Sequence, residues 1–370
     1  MSELNIPISK HSMIGNEKKY VNEALASGWI SSSGKFIKRF EEDFAKFSNA
    51  PFAVSMSNGT TAIVTALKAL GVGRGDEVIV PTLTFGATAN AVATAGAAVV
   101  FADCATTSWN IDPEGIEKLI TSKTKAIIAV HLYGHACNVM RIKELCDKYG
   151  LYLIEDCAEA LGVEYRGSKV GAIGDIGTFS FFGNKNISTG EGGMCVTSSS
   201  DTDEKLRILR DHGMDPKKRY WHLEAGYNHR MTNLQAAIGT AQLENIEKLL
   251  KRRNEIHECY YNELVNENFF LDVAPPKSCS FVNWLFPLCL SDSCADSKKL
   301  LMDYLKGKGI DTRNFFFPLH QMSAYSSPPG DFPNATAFSK RGLNLPTYYH
   351  LSDQSVRIIC KHVREFFSSQ

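Results

Sequence analysis

The sequence predicts an α/β fold, with a mostly parallel central sheet flanked by helices and a smaller C-terminal α+β domain. Three observations predict it. From about residue 50 to 200, short apolar runs alternate with segments of helical period. Those runs are continuous and rich in β-branched residues, the pattern of strands covered on both faces. After about residue 255 the alternation gives way to mixed strand and helix signals. At 370 residues the chain also exceeds what one hydrophobic core usually serves, so we divide it into residues 1–249 and 250–370.

The elements follow in order. "FAVSM" (52–56) reads as a strand and leads into a helix whose apolar positions are Ile63, Ala66, Leu67 and Leu70, ended by Gly71. "EVIVP" (77–81) is a strand, 86–95 a helix of small residues, and "AAVVFAD" (97–103) a strand. "KAIIAVHLYG" (125–134), a helix near 139–149 and "LYLIED" (151–156) repeat the unit. A long helix is expected from "MTNLQAAIGTAQLENIEKLLKRRNEI", with Thr232 and Gln235 spaced as a capping box. Its "KRRNE" reads more simply as a solvated helix surface than as a nucleic-acid patch. Beyond it, "FFLDV", "FVNWLFPLCL" and "IDTRNFFFP" suggest short strands, with helices near 295–307 and 352–367.

Composition narrows the function classes. Lys+Arg and Asp+Glu are each 40, so the formal net charge is zero. That argues against a general nucleic-acid or acidic-surface binder. The ten cysteines are scattered, without a CxxC pair or a Cys/His cluster of zinc spacing, so no metal is expected. "MSELNIPISKHSMIGNE" has no apolar signal core, and no 18-residue apolar stretch occurs. We expect a cytoplasmic protein with no membrane segment.

Three stretches carry chemistry. "SMSNGTTA" (55–62) joins a strand end to a helix through Ser57, Asn58 and Gly59, with Thr60 and Thr61 in the first turn. Such a helix N-terminus offers N–H groups and a favourable dipole to a phosphate, although plain N-capping uses the same residues. "LIEDCAEALG" (153–162) places Glu155, Asp156 and Glu159 at the end of a buried run. A buried carboxylate needs a cation, a metal, a helix cap or an ion pair. "TFSFFGNKNISTGEGGM" (178–194) sets Lys185 at the end of an aromatic strand among turn residues. Alone it is an ordinary loop lysine; in a buried site lysine is a base and binds carbonyls covalently. "GVGRGDE" (71–77) lies after a helix and before a strand, so it is a turn and not a dinucleotide fingerprint. A phosphate anchor, a buried Asp and a positioned Lys, in that order on an α/β sheet, together meet the needs of pyridoxal 5'-phosphate.

These residues stand in longer stretches that resemble the fold-type I sugar-nucleotide aminotransferases. The resemblance runs through "SGWISSSGKFIKRFEEDFA", "SNGTTA", "VIVPTLTF", "HLYGHACN", "LIEDCAEALG", "GDIGTFSFFGNKNISTGEGGM", "RYWHLEAGYNHRMTNLQAAIG" and "TRNFFFPLH", essentially the whole chain. Within the family, "FFGNK…TGEGGM" with "RYWH…YNHRMTN" looks most like the branch that aminates C4 of GDP-4-keto-6-deoxymannose.

The resemblance implies a role for each matching position. Lys185 would hold the cofactor aldehyde and act as the acid/base, Asp156 would pair with the pyridine nitrogen, and Glu159 would lie near the ring hydroxyl. Phe85 would stack on the ring. Ser57, Gly59, Thr60 and Ser180 would hold the phosphate, joined by Asn228 from the neighbouring subunit of a homodimer. Arg230 is either a contributor there or part of a structural ion pair. Trp29, Ser31 and Ser32 of "WISSSG", with Arg313 and His320 of "RNFFFPLH", match segments that bind the sugar nucleotide. The implied reaction moves the amino group of L-glutamate to C4 of a nucleotide-linked 4-keto-6-deoxyhexose, on a GDP-sugar first and a UDP- or dTDP-sugar as the alternative. A sugar dehydratase is disfavoured because that branch replaces the lysine with histidine. A non-catalytic regulator binding the same cofactor lacks an appended DNA-binding segment, and a nicotinamide oxidoreductase lacks its glycine fingerprint.

Overall fold

The computed structural model describes residues 5–274, 279–280, 282, 284–325 and 330–369. Strands β1 (Phe52–Met56), β2 (Glu77–Pro81), β3 (Ala98–Ala102), β4 (Thr124–Val130), β5 (Tyr152–Asp156), β8 (Ile176–Ser180) and β9 (Gly193–Thr197) form the central sheet. A small hairpin, β6 (Glu164–Tyr165) with β7 (Ser168–Lys169), stands apart from it. The sheet order is β1-β9-β8-β5-β4-β2-β3. Only β9 runs antiparallel to its neighbours. The carboxyl ends of β1, β2, β4, β5 and β8 therefore share one edge of the sheet, where ligands of such folds bind.

Helices cover both faces. The large-sheet region contains α1 (Glu17–Ala26), α2 (Lys35–Ser48), α3 (Gly59–Ala69), α4 (Ala87–Ala95), α5 (Pro113–Ile116), α6 (Val139–Tyr149), α7 (Ser200–Arg210) and α8 (Asn233–Leu243). One core joins α3 and α4 to Val78, Val80, Ile128 and Ile154. The other joins α2, α6 and α8 to Ile79, Ile127 and Leu153. Neighbouring residues of one strand thus serve opposite faces, which explains why the strands read as unbroken apolar runs. On the second face, Phe44 packs edge-on against Phe179 of β8 and Phe181 just after it, on the way to Lys185. Truncating Phe44 to Ala would cost about 3–5 kcal/mol. Gly239 of α8 lets the Phe40 ring approach, since a Cβ there would stand 2.7 Å from it.

The helix expected from residue 232 is two helices. Its Thr232–Gln235 capping box forms. However, α8 ends at Leu243 and α9 (Ile246–Leu264) restarts after Asn245, which has left helical geometry at φ −112° and ψ 15°. The break falls where the Glu244 carboxylate accepts hydrogen bonds from Tyr20 Oη and Asn16 Nδ2 and pairs with Arg39. Those ties to α1 and α2 fix the chain at the break.

α9 passes through residue 250 into a second core. This contains a three-stranded antiparallel sheet, β10 (Phe286–Cys289), β12 (Gly342–Leu345) and β11 (Arg313–Asn314), in the order β10-β12-β11. Around it lie α10 (Lys298–Gly307), α11 (Pro333–Arg341) and α12 (Asp353–Ser368). "FFLDV" contributes one isolated bridge, Phe270 to Leu290, and not a strand. The N-terminal segment also reaches this core, pairing Ile6 with Ile310. Among the described residues, no helix is long and apolar enough to cross a membrane.

Candidate active site

At the shared strand ends lies a cavity of ≈ 560 Å³. It is lined from β1–α3 by Asn58, Gly59 and Thr60, and from β2–α4 by Phe85 and Thr88. β5 and the turn after it supply Asp156 and Glu159, β8 and the turn after it supply Ser180 and Lys185, and the small-sheet region supplies Trp284, Arg313 and Phe316.

Lys185 is placed by backbone. β8 ends at Ser180, and the Lys185 N–H donates to Phe182 O at 2.9 Å, closing the turn through Gly183 and Asn184. The Thr189 N–H donates back to Phe181 O, and Gly190 takes φ +82° to start the return toward β9. Only 14% of the lysine side chain is exposed, and its Nζ stands 3.3 Å from Glu159 Oε1. The same carboxylate accepts the Tyr133 N–H through Oε2 at 3.1 Å. Burial pushes the Glu159 carboxyl above its ordinary range, against the pull of Lys185.

The three neighbouring acids divide into two kinds. Glu155 is fully buried and accepts the N–H groups of Gly171, Ile173 and Gly174 as well as His131 Nε2. Burial opposes its ionisation, yet His131 and the backbone donors bring it below the usual carboxylate range. Among the described residues, the Asp156 carboxylate accepts only Thr88 Oγ1 and the Ala158 N–H, both at 3.1 Å. Burial pushes it up, with Ala158 and Lys185 drawing it down. Glu155 is therefore a satisfied structural acid, and Asp156 a buried one that a cation would stabilise. His131, Glu155 and Cys157 are near enough to hold a metal ion. The lone pairs of His131 and Glu155 are engaged, because His131 Nδ1 accepts the Cys137 N–H while Glu155 is held as above.

At the N-terminus of α3 the Asn58–Thr61 capping box satisfies the Thr61 and Asn58 amides, leaving Gly59 and Thr60 to line the cavity. A Cβ on Gly59 would fall 2.8 Å from Ser180 Cβ, so only glycine leaves this space open. The donor set fits pyridoxal phosphate: a primary amine, a buried acid short of a cation, and a helix N-terminus walled by a glycine and a serine.

Phe85 stands 62% exposed, tilted against Phe316 at 5.8 Å between ring centroids. The remaining expected residues lie outside this cavity. The Ser57 hydroxyl meets Thr61 Oγ1 at 3.0 Å. Asn228 Oδ1 accepts Arg230 Nε, and Arg230 pairs with Asp211. His320 Nδ1 lies 2.8 Å from Thr82 Oγ1 and the ring stacks on Phe332. Trp29 is 59% exposed, and its carbonyl and that of Ser31 accept hydrogen bonds from Asn233. Ser32 lines a separate open groove with Glu41 and Arg207.

Thr88, Trp284 and Phe316 line the cavity and escaped the sequence reading, as did Tyr133, whose N–H holds Glu159. Thr88 follows Phe85 by three residues, a helical spacing that could have found it. Tyr133 takes φ +53°, a left-handed conformation that bulky residues rarely adopt. Trp284 comes from an apolar run that reads as core.

Comparison with known proteins agrees with this geometry. The chain is 43% identical over 366 residues to the GDP-perosamine synthase of Vibrio cholerae, covering 98% of this chain and 99% of that protein. It is 44% identical over 365 residues to the GDP-perosamine synthase of Escherichia coli O157:H7, covering 99% of each. Among solved structures, Helicobacter pylori PseC, an aminotransferase involved in the biosynthesis of pseudoaminic acid, matches with a TM-score of 0.94. Its sequence identity is 30%, and the match covers 99% of this chain and 100% of that one. Residues 11–364 match one family profile. A pyridoxal phosphate-dependent fold, met again in the lysine and acids of the cavity, thus runs nearly end to end, and the chain belongs to the DegT/DnrJ/EryC1/StrS aminotransferase family.

Proposed function

We propose that this enzyme transfers the amino group of L-glutamate to C4 of GDP-4-keto-6-deoxymannose, forming GDP-perosamine in the cytoplasm. The observation that carries the reading is the 43–44% identity, over nearly all of both chains, to enzymes of that name. The cavity supports it, because Lys185 borders a space of ≈ 560 Å³ that Arg313 also lines. All ten cysteines are free, as a reducing compartment keeps them.

The residues divide the work. Asp156 would hold the ring nitrogen, Gly59, Thr60 and Ser180 the phosphate, and Phe85 one ring face. When bound, the cofactor supplies an aldehyde for the amino group and a protonated ring that draws electrons from the reacting carbon. Lys185 Nζ would remove the proton from Cα of the donor and later deliver one to C4 of the sugar. Glu159 holds that amine 3.3 Å from its carboxylate, which limits the positions Nζ takes between the two half-reactions. Arg313 presents a planar fork of donors suited to a carboxylate or diphosphate.

Asn228 lies outside its own chain's cavity and sits in a segment that exposes Tyr220, Trp221 and Leu223. This favours a homodimer in which Asn228 serves the partner's site. Ser57, Trp29, Ser31, Ser32 and His320 would act at the edges of the assembled site.

The test is an assay with L-glutamate and a panel of GDP-, UDP- and dTDP-linked 4-keto-6-deoxyhexoses, with products identified by mass and NMR. Formation of 2-oxoglutarate and a GDP-linked 4-amino-4,6-dideoxymannose is expected. Turnover confined to a UDP- or dTDP-sugar would overturn the GDP assignment, and no 2-oxoglutarate with any sugar would overturn glutamate transamination.

A further inference from the structure

Trp284 comes from the small-sheet region, immediately before β10, yet it ends beneath the lysine of the large sheet. Lys185 Nζ lies 4.2 Å from the centroid of its ring. The indole N–H donates to the Asn184 carbonyl at 2.7 Å, the residue just before Lys185. The ring is itself held, being 3% exposed and parallel to Tyr133 at 6.4 Å and 5°. Its own carbonyl accepts a hydrogen bond from buried Arg253 of α9. Tyr133 in turn gives its N–H to Glu159, the partner of Lys185, while its hydroxyl accepts the Phe316 N–H. The path from Lys185 through Trp284, Tyr133 and Glu159 therefore closes on itself.

We infer that Trp284 is a positioning residue for Lys185: its N–H fixes the turn that carries the lysine, and its ring face stabilises positive charge on Nζ. The two handles act differently. A hydrogen bond to Asn184 O sets where the backbone of the turn lies. The negative face of the indole favours the charged nitrogen over the neutral one. The small sheet thereby contributes to the reacting amine without touching the substrate. Charged and titratable groups lining the two pockets that Lys185 borders are Asp156, Glu159, Glu191 and Arg313 in the cavity, and Lys10, His11, Arg253 and Tyr349 behind the turn. The carboxylates, guanidinium groups and amine among them carry no aromatic face, and the variants below leave the rings behind the turn in place, so the effect of the indole is separable from theirs.

The inference rests on Lys185 being the cofactor lysine, and one measurement checks that separately. Borohydride reduction of the holoenzyme followed by peptide mass should place the cofactor on Lys185, whatever Trp284 does. The visible band of the lysine-bound cofactor is then titrated against pH in wild type, Trp284→Phe and Trp284→Leu holoenzymes. Loss of the aromatic face in Trp284→Leu should move the midpoint about one pH unit lower, because the charged nitrogen loses its support. Trp284→Phe keeps a face and should stay within about 0.3 unit of wild type, while losing the indole N–H should lower its kcat several-fold with little change in the donor KM. If Trp284→Leu does not fold, Trp284→Met takes its place. A midpoint unmoved in the aliphatic variant, or moved equally by Phe, would overturn the role of the ring face. An unchanged kcat in Trp284→Phe would overturn the role of the N–H.

Discussion

Lys185 Nζ and Glu159 Oε1 meet at 3.3 Å, although one follows β8 and the other follows β5. The pairing depends on β5 and β8 being adjacent and parallel, so that both strands deliver their following turns to one cavity. Replacing Lys185 by Ala removes the base while leaving Asp156 and the α3 N-terminus in place. Turnover should fall about a thousandfold or more, the scale of a lost acid–base group. The cofactor should stay bound without covalent attachment, as dialysis and the visible spectrum would show. A fully active Lys185→Ala enzyme would exclude Lys185 from the chemistry.

Asp156 and Glu155 are sequence neighbours with opposite expected phenotypes. Asp156→Asn keeps the shape and removes the charge offered to the cofactor ring. Cofactor affinity should drop about ten- to a hundredfold, as for one lost charge-assisted hydrogen bond, with the thermal midpoint of the cofactor-free protein unchanged or raised. Glu155→Gln instead removes the charge and turns an NH2 group toward two of its donors, either the Ile173 and Gly174 N–H groups on Oε1 or the Gly171 N–H and His131 on Oε2. It should destabilise the fold by about 3–5 kcal/mol, as breaking a buried charged network does. Denaturation and cofactor titration of both variants separate the two patterns.

That distinction was not legible in the sequence, where "LIED" shows two acids ending one strand. Alternation along β5 gives adjacent side chains to opposite faces, but the loop at 171–174 that claims Glu155 pairs with it only in three dimensions. Lys185, Asp156 and Gly59 were legible because each stands where a strand pattern stops. Trp284, Phe316 and Tyr133 were not, since an aromatic residue in an apolar run has the same signature in a core and in a cavity wall. The α/β alternation was readable from the β-branched runs. The break between α8 and α9 was not, because Glu244 and Asn245 are both tolerated inside helices and only their tertiary partners end α8 there.

A different buried acid sets the response to acid. Glu41 of α2 accepts Ser55 N–H and Oγ and pairs with Arg207 and Arg210, tying α2 to β1 and α7. Burial raises its carboxyl, but the two guanidinium groups outweigh that and leave it below its ordinary value. A depressed folded pKa gives stability that is present above the unfolded value and lost as pH falls through the folded one. Glu41→Gln should therefore be about 3–5 kcal/mol less stable at neutral pH, with the gap narrowing once pH drops below about 4. Asp156 and Glu159 act with the opposite sign in the cofactor-free protein. Their raised values give stability that is lost as pH climbs from the ordinary carboxylate range through the folded values. Thermal melts of wild type and Glu41→Gln across pH 3–8 check the first sign. The second is checked by adding cofactor, which should flatten the loss above the carboxylate range.

Gly59 tests the phosphate end of the site without touching its charges. It is the first residue of α3, where alanine suits the helix at least as well. Gly59→Ala should therefore keep the helix, with the loss of stability confined to the overpacking against β8, about 1–3 kcal/mol. Its new Cβ, however, would lie 2.8 Å from Ser180 Cβ, and the two elements must separate by several tenths of an ångström. That displacement spreads the donors of the α3 N-terminus away from Ser180. We expect about tenfold weaker cofactor binding, equivalent to about 1.4 kcal/mol, with inorganic phosphate competing correspondingly less well. Adding Ser180→Gly removes the opposing Cβ and should recover part of the affinity despite the lost hydroxyl. Fluorescence titration of the cofactor-free variants reads both effects. Equal affinity in wild type and Gly59→Ala would mean that the phosphate does not sit between α3 and β8, and the cofactor orientation proposed for this cavity would have to be reversed.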